Sequence, residues 1–378
     1  MDRAELCKHV RRCVVKVGSG VLSRGTLSLQ REAIEVLAKQ IAAVKAQGIQ
    51  TLLVSSGAVM AGMEKLERTE RLRNIPLKQA AAAIGQSALM ATYEEAFAPY
   101  GIKVAQVLIT QEDIRDRVRY LNARNTLFTL LSLEVLPIVN ENDTVAVEEI
   151  KFGDNDILSA LVASLVDADL LVMLTDQEGL YTADPRTEPE ARLVPVVSSP
   201  FPSDAFWAGP TRTAVGIGGM ASKVEAARVA TASHVPAVVA NGFTADILVR
   251  LLTGESLGTL FLPRAVRMGG RKRWLAFAAR PQGGVRVDAG AKRALIHQGR
   301  SLLPSGVQGT VKQFRVGDVV SVLGAEGEEF ARGLVNYSAE EVERIKGRRS
   351  TEIEGVLGYK HSDEVIHRDN LVLLEVRP

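Results

Sequence analysis

The chain reads as an α/β protein built on a mainly parallel sheet, followed by a smaller, mostly β module. Three observations carry that reading. Up to about residue 260, short runs apolar on both faces alternate with longer segments whose apolar residues recur at helical spacing; strands of that kind, each followed by a helix, form a parallel sheet covered on both sides. A basic stretch, RAVRMGGRKRW over 264–274, then leads into Pro281-Gln282-Gly283-Gly284, the punctuation of a domain boundary. Beyond it, short β-branched runs are broken by glycines, the style of a small barrel. A length of 378 residues suits two domains, expected at 1–264 and 283–378 with a linker over 265–282.

Taken in order, Arg12–Val17 (RCVVKV) predicts a strand, Leu29–Gln47 a helix and Thr51–Ser55 (TLLVS) a strand. A helix over Leu77–Phe97, a strand over Val104–Ile109 and a helix over Asn122–Leu133 follow. The series continues with a strand over Val135–Val139, a helix over Asp156–Val166 and a strand over Leu170–Thr175. A helix from about Met220 to Ser233 and a strand over Ala237–Ala240 close it. In the second module, strands are expected at Val285–Val287, Gly309–Phe314, Val319–Leu323, Ala331–Val335 and Leu371–Val376, with helices near Ala291–His297 and Ala339–Ile345.

Composition narrows the function class. With 46% hydrophobic and 24% charged residues the chain can bury a full core, and its net charge of +2 supplies no global field toward nucleic acid or a membrane. Over 283–378 the count is 14 Lys+Arg against 14 Asp+Glu, a net of zero, so nucleic-acid binding by this module is not expected. Two cysteines, Cys7 and Cys13, make no disulfide framework, and no apolar run is long enough to span a bilayer. The charged start, Met1 to Arg12, has no apolar core of a signal peptide. A cytoplasmic protein is expected. The five histidines fall at no metal-ligand spacing, so no protein-held metal is expected.

In parallel sheets, ligands gather at the carboxyl ends of the strands, and those ends carry an unusual set of residues. The first strand runs into Lys16-Val17-Gly18-Ser19-Gly20 and the second into Ser55-Ser56-Gly57. The strand ending at Val139 runs into Asn140-Glu141-Asn142-Asp143-Thr144, and Gly153-Asp154-Asn155-Asp156 precedes the next helix. Thr175-Asp176 ends a further strand, and Gly216-Ile217-Gly218-Gly219-Met220-Ala221-Ser222-Lys223 opens the helix after it. Singly, each is an ordinary turn or helix cap. Together they offer backbone N–H groups for phosphates, two lysines (Lys16 and Lys223) beside the glycine turns, and an acid and amide cluster (Asp143, Asn155, Asp156). That combination suits phosphoryl transfer, which is mostly positioning and charge neutralisation. The P-loop pattern, the protein-kinase motifs, the G-x-S-x-G elbow and the G-x-G-x-x-G fingerprint are all absent; the last would need glycine where Ser23 stands.

At these residues the chain resembles, from end to end, the glutamate 5-kinase family of the amino acid kinase superfamily. The strings that carry the resemblance are VVKVGSGVL (14–22), VSSGAVMAG (54–62), PIVNENDTVAVEEIKFGDNDILSALVA (137–163), LTDQEGLYTADPR (174–186) and GIGGMASK (216–223). The second module resembles a PUA domain through VDAGAKRAL (287–295), SLLPSGV (301–307) and EIEGVLGY (352–359). The resemblance implies a three-layer αβα sandwich followed by a PUA pseudo-barrel, with ATP and Mg²⁺ as cofactors and L-glutamate as acceptor.

Carried over by position, the resemblance implies that Lys16, Lys223 and Asp156 are catalytic. It implies that Lys16, Thr175, Asp176, Ile217, Gly218, Gly219, Met220, Ala221, Ser222 and Lys223 bind ATP. Ser56, Asp143 and Asn155 would bind the amino acid. In the family the last glycine loop usually begins with threonine, where this chain has Ile217, and Ser222 replaces a commoner threonine while keeping a hydroxyl. The resemblance further implies a first step of proline synthesis, feedback inhibition by proline near Asp143 and the segment Asp113–Arg124, assembly into a homo-oligomer, and a reductase that takes the reactive product onward. The Asp113–Arg124 segment reads equally well as a solvated helix start. Two rival functions share parts of the pattern: another amino acid kinase, or an RNA-binding role of the PUA domain.

Overall fold

The alternation of apolar runs and helical segments becomes one eight-stranded sheet in the computed structural model, which describes residues 3–26, 28–68, 72, 74–146, 154–198, 219–263 and 274–374. Its strands are β1 (Arg12–Val17), β2 (Gln50–Ser55), β3 (Val104–Ile109), β4 (Leu136–Glu141), β5 (Leu170–Thr175), β6 (Val196–Ser198), β7 (Ala237–Asn241) and β8 (Thr259–Leu262). They lie in the order β3-β4-β2-β1-β5-β7-β8-β6. From β3 to β7 every neighbouring pair is parallel; β8 runs antiparallel to β7, and β6 runs parallel to β8. The central strands β4 and β5 are buried at every position, as strands covered on both faces must be, whereas the edge strand β3 is mostly half-buried.

Ten described helices accompany the sheet: α1 (Arg3–Lys8), α2 (Ser19–Ser23), α3 (Arg31–Ala46), α4 (Ala58–Lys65), α5 (Ile75–Phe97), α6 (Gln111–Arg115), α7 (Arg117–Ser132), α8 (Asp154–Leu165), α9 (Met220–Ala232) and α10 (Ile247–Leu252). One core joins alternate strand residues (Cys13, Val15, Val17, Leu53, Ile138, Val172, Val238) to apolar faces of α3, α5 and α10. Strand alternation sends the intervening residues, Val14 and Lys16 among them, to the opposite face, where α8 packs on β1 and on α9. From β1 the chain moves to β2 on one side, and from β5 it continues through β6 to β7 on the other. The carboxyl ends of β1 and β5 therefore flank a topological switch point, where a crevice forms.

The chain divides into two units, Met1–Ile114 with Val118–Arg267, and Arg115–Arg117 with Met268–Pro378. In the second, β9 (Gly283–Val287), β10 (Val307–Val311), β11 (Val319–Leu323), β12 (Glu329–Leu334) and β13 (Leu371–Leu373) form a sheet in the order β10-β9-β11-β12-β13. Only the β9–β11 pair is parallel. Val285, Val287, Val320, Val322, Phe330, Tyr337 and Ile366 fill its core. Its helix Ala339–Ile345 starts at a reciprocal capping box between Ser338 and Glu341.

The structure adds to the sequence reading at short elements. Strands β6 and β8, of three and four residues, went unforeseen because their apolar runs are too short to show a period, and with them the antiparallel end of the sheet. The strand expected over Gly309–Phe314 lies at Val307–Val311, and the one expected over Leu371–Val376 is described as far as Leu373. The basic segment 264–273 lies outside the described residues.

Candidate active site

At the carboxyl end of β1, Lys16 is buried on the face that α8 covers. Its Nζ lies 2.5 Å from Asp156 Oδ1, and Lys223 Nζ, from the first turn of α9, lies 3.3 Å from Asp156 Oδ2. Ser222 donates to the same Oδ2 at 2.6 Å, so the hydroxyl at this position holds the carboxylate. Asp156 is 1% exposed and both lysines 5%. Burial pushes the Asp156 carboxyl up, but the Lys16 and Lys223 ammoniums outweigh it and hold the group down at about 2. Burial, with Lys16 close by, lowers the pKa of Lys223 against the pull of Asp156.

Two ammoniums converge on one buried carboxylate, and the Asp176 carboxylate also acts on Lys223. Buried positive charge gathered in this way suits an anionic ligand. The Lys16 ammonium sits under the first glycine turn: a Cβ on Gly18 would lie 3.5 Å from its Nζ. A Cβ on Gly20 would lie 3.8 Å from Asp176 Oδ2, so the exposed Asp176 carboxylate faces the same turn. Thr175, buried at the end of β5, donates to Asp176 Oδ1 at 3.1 Å. Helix α9 begins at Gly219, whose lack of a side chain means that the N-cap itself does not bond the first-turn N–H groups, which suit an anionic ligand.

One residue before Asp156, Asn155 points into a second cluster. Its Nδ2 lies within hydrogen-bond distance of Ser55 O (3.1 Å), Ser56 Oγ (3.0 Å) and Asn140 Oδ1 (3.0 Å), three partners for its two protons. Because an amide nitrogen does not accept, the Ser56 proton is directed away from Asn155, toward an acceptor such as a carboxylate. The turn after β2 that presents Ser56 relies on Gly57, whose φ of 110° is one that other residues rarely adopt. Beneath it, Ser55 donates to Ser56 O at 2.9 Å, and the buried Tyr93 hydroxyl is 2.7 Å from Ser55 Oγ.

The structure thus brings Lys16, Asp156, Ser222 and Lys223 into one cluster, with Thr175 and Asp176 beside it, and Ser56 and Asn155 into a second. Gly219 and Met220 open α9; Ala221 is exposed on its first turn. Asp143 lies half-buried on the turn leaving β4, three residues past Asn140. Ile217 and Gly218 lie outside the described residues. In the segment Asp113–Arg124, Asp113 pairs with Arg119 at 2.9 Å and Arg124 with Asp167 at 2.6 Å. Sequence reasoning assigned no role to Asn140 and missed Gln86 and Tyr93. Asn140 stands in the polar run after Val139, but Gln86 and Tyr93 sit within an alanine-rich helix where no local pattern marks them.

The model of the amino acid kinase family matches residues 11–241, and that of the PUA domain matches 283–357. The glutamate 5-kinase of Citrifermentans bemidjiense is 51% identical over 98% of this chain and 100% of its own length. That of Geobacter sulfurreducens is 52% identical with the same coverage. The glutamate 5-kinase of Caldanaerobacter subterraneus is 52% identical over 96% of this chain and 98% of its own length. The chain belongs to the amino acid kinase family and, within it, to the glutamate 5-kinases.

Proposed function

We propose that the chain transfers the γ-phosphoryl group of ATP to the side-chain carboxylate of L-glutamate, the first step of proline synthesis. The observation that carries this reading is the adjacency of Asn155 and Asp156 on the first turn of α8. One reaches the Ser56 cluster and the other holds the two buried lysines. An acceptor site and a phosphate site therefore share a wall, as direct transfer requires.

In this reading Lys16 meets the ATP phosphates, Lys223 stabilises charge moving between them, and Asp156 holds both ammoniums in place. Thr175, Asp176 and 217–223 line the nucleotide. Ser56 donates to a glutamate carboxylate, Asn155 steadies the same pocket, and Asp143 takes the substrate ammonium. The acceptor carboxylate is already ionised near neutral pH, so no general base is needed. One of its oxygens bonds to the γ-phosphorus as the bond to the ADP oxygen breaks, giving an acyl phosphate and ADP. Mg²⁺ characteristically binds phosphates with one or two carboxylates, and Asp176, facing the first glycine turn, is placed to supply one. When bound, the ion would offset phosphate charge.

The same reading extends to residues 1–264 as the catalytic domain, 265–282 as a linker and 283–378 as the PUA domain, in a cytoplasmic homo-oligomer. Proline, which shares the α-carboxylate and amine of glutamate, would compete at the acceptor pocket. The reactive product calls for a reductase to consume it. Trapping the product with hydroxylamine tests the reaction: a hydroxamate should form only with ATP and L-glutamate together. Equal yields with aspartate or N-acetylglutamate, or none with glutamate, would overturn the reading.

A further inference from the structure

Two backbone groups identify which atom each of three side-chain amides near the acceptor pocket presents to its neighbour. The Glu141 N–H can only donate, and it donates to Asn140 Oδ1 at 2.9 Å. That leaves Asn140 Nδ2 as the donor to Gln86 Oε1, at 2.9 Å. At the other end the Ser55 carbonyl can only accept, so the Asn155 atom facing it is Nδ2, which also donates to Asn140 Oδ1. The chain Gln86–Asn140–Asn155 therefore has one polarity, and Gln86 Oε1 is the acceptor that terminates it.

Gln86 itself is held by the packing of α5. A Cβ on the neighbouring Gly85 would fall 1.9 Å from Ala58 O, and one on Gly62 would fall 1.8 Å from Ala81 O. Only glycines at both positions let α5 approach α4 this closely, and that approach fixes the backbone beside Gln86 below the carboxyl ends of β2 and β4. Seven residues on, along the same helix, Tyr93 reaches Ser55. The buried Asn140 has Gln86 Oε1 as the acceptor for its Nδ2, so a Gln86 that cannot accept leaves a buried donor unsatisfied. Asn140 would turn to recover a partner, and Asn155 would lose the acceptor that aligns it with Ser56.

We infer that Gln86 is a positioning residue of the acceptor pocket: through Asn140 it sets the orientation of Asn155, and so the affinity for the acceptor amino acid, without touching it. The inference rests on the kinase reading above. Parent turnover with glutamate, measured alongside, tests that reading separately from the role of Gln86.

Gln86→Met keeps the volume and removes the acceptor. It should raise the KM for glutamate by about tenfold, the scale of one misaligned hydrogen bond in the acceptor pocket, while the KM for ATP and kcat change by less than about twofold. In Asn140→Ala, which has already lost the relay, adding Gln86→Met should raise that KM by less than about twofold further. Additive effects would overturn the inference, as would a lowered melting temperature with KM unchanged. If Gln86→Met does not fold, Gln86→Glu, which keeps an oxygen acceptor for Asn140, decides. A KM for glutamate within about threefold of the parent supports the relay, and a rise of about tenfold contradicts it.

Discussion

Replacing Asp156 with asparagine keeps the side chain's size and removes its charge, and the structure states what depends on that charge. Two buried ammoniums, at 2.5 and 3.3 Å, have this carboxylate between them. Asp156→Asn would remove one buried negative charge and leave Lys16 and Lys223 facing each other across a neutral amide. Removing one partner of a buried ion pair costs about 3–5 kcal/mol. With about 2–4 °C per kcal/mol for a large domain, the melting temperature should fall by roughly 10 °C. Activity should fall further than stability, by about 10² or more in kcat, because both lysines lose the alignment that places them on the transferring group. ATP should restore more melting temperature to Asp156→Asn than to the parent, since phosphates supply the missing negative charge. Differential scanning calorimetry with and without ATP, together with steady-state kinetics, reads all three effects. A folded Asp156→Asn protein with an unshifted melting temperature and kcat within about threefold of the parent would refute the role assigned to this carboxylate.

Lys223→Ala should lower kcat by about 10² or more with little change in the KM for glutamate, and Lys223→Arg should restore little, because a planar fork does not replace a point charge in a tight site; initial rates at saturating ATP check this. Asp143→Ala should instead raise the KM for glutamate first, with kcat following only if the substrate is misaligned, as initial rates across a glutamate series would show. Gly85→Ala would add helix propensity on an open helix, but here its Cβ falls 1.9 Å from the Ala58 carbonyl oxygen, so it should destabilise by about 1–3 kcal/mol in a denaturant titration. Asp156 has a carboxyl depressed from 3.8 to about 2. Its contribution, about 2 kcal/mol, is full above the unfolded value and is lost as pH falls from about 4 through about 2; Asp156→Asn should lack that part of the acid slope.

A mainly parallel sheet was legible in the sequence, but not the order of its strands. Runs such as Leu170–Leu174 are apolar throughout, and that burial on both faces follows from their place in the middle of a parallel sheet. The site was legible where chemistry lies at strand ends: Lys16, Ser56, Asn155, Asp156 and Lys223 all stand in polar or glycine-rich runs that interrupt apolar ones. The pairing of Asp156 with both lysines was not readable from spacing, since it joins residues 140 and 67 positions apart through the crossing of α8 over β1. Gln86 and Tyr93 were invisible for a different reason. Their importance comes from the close approach of α4 and α5 at Gly62 and Gly85, and a helix face in sequence carries no mark of what it will touch.

The central claim is that acceptor and phosphate donor occupy the two sides of the Asn155–Asp156 step. A crystal structure with L-glutamate and a non-hydrolysable ATP analogue tests it most directly. The account predicts the terminal phosphate against Lys16 and Lys223, the glutamate side-chain carboxylate within reach of Ser56 and Asn155, and that carboxylate in line with the terminal phosphorus. Glutamate seated against the lysines, or a nucleotide whose phosphates lie away from both of them, would contradict it.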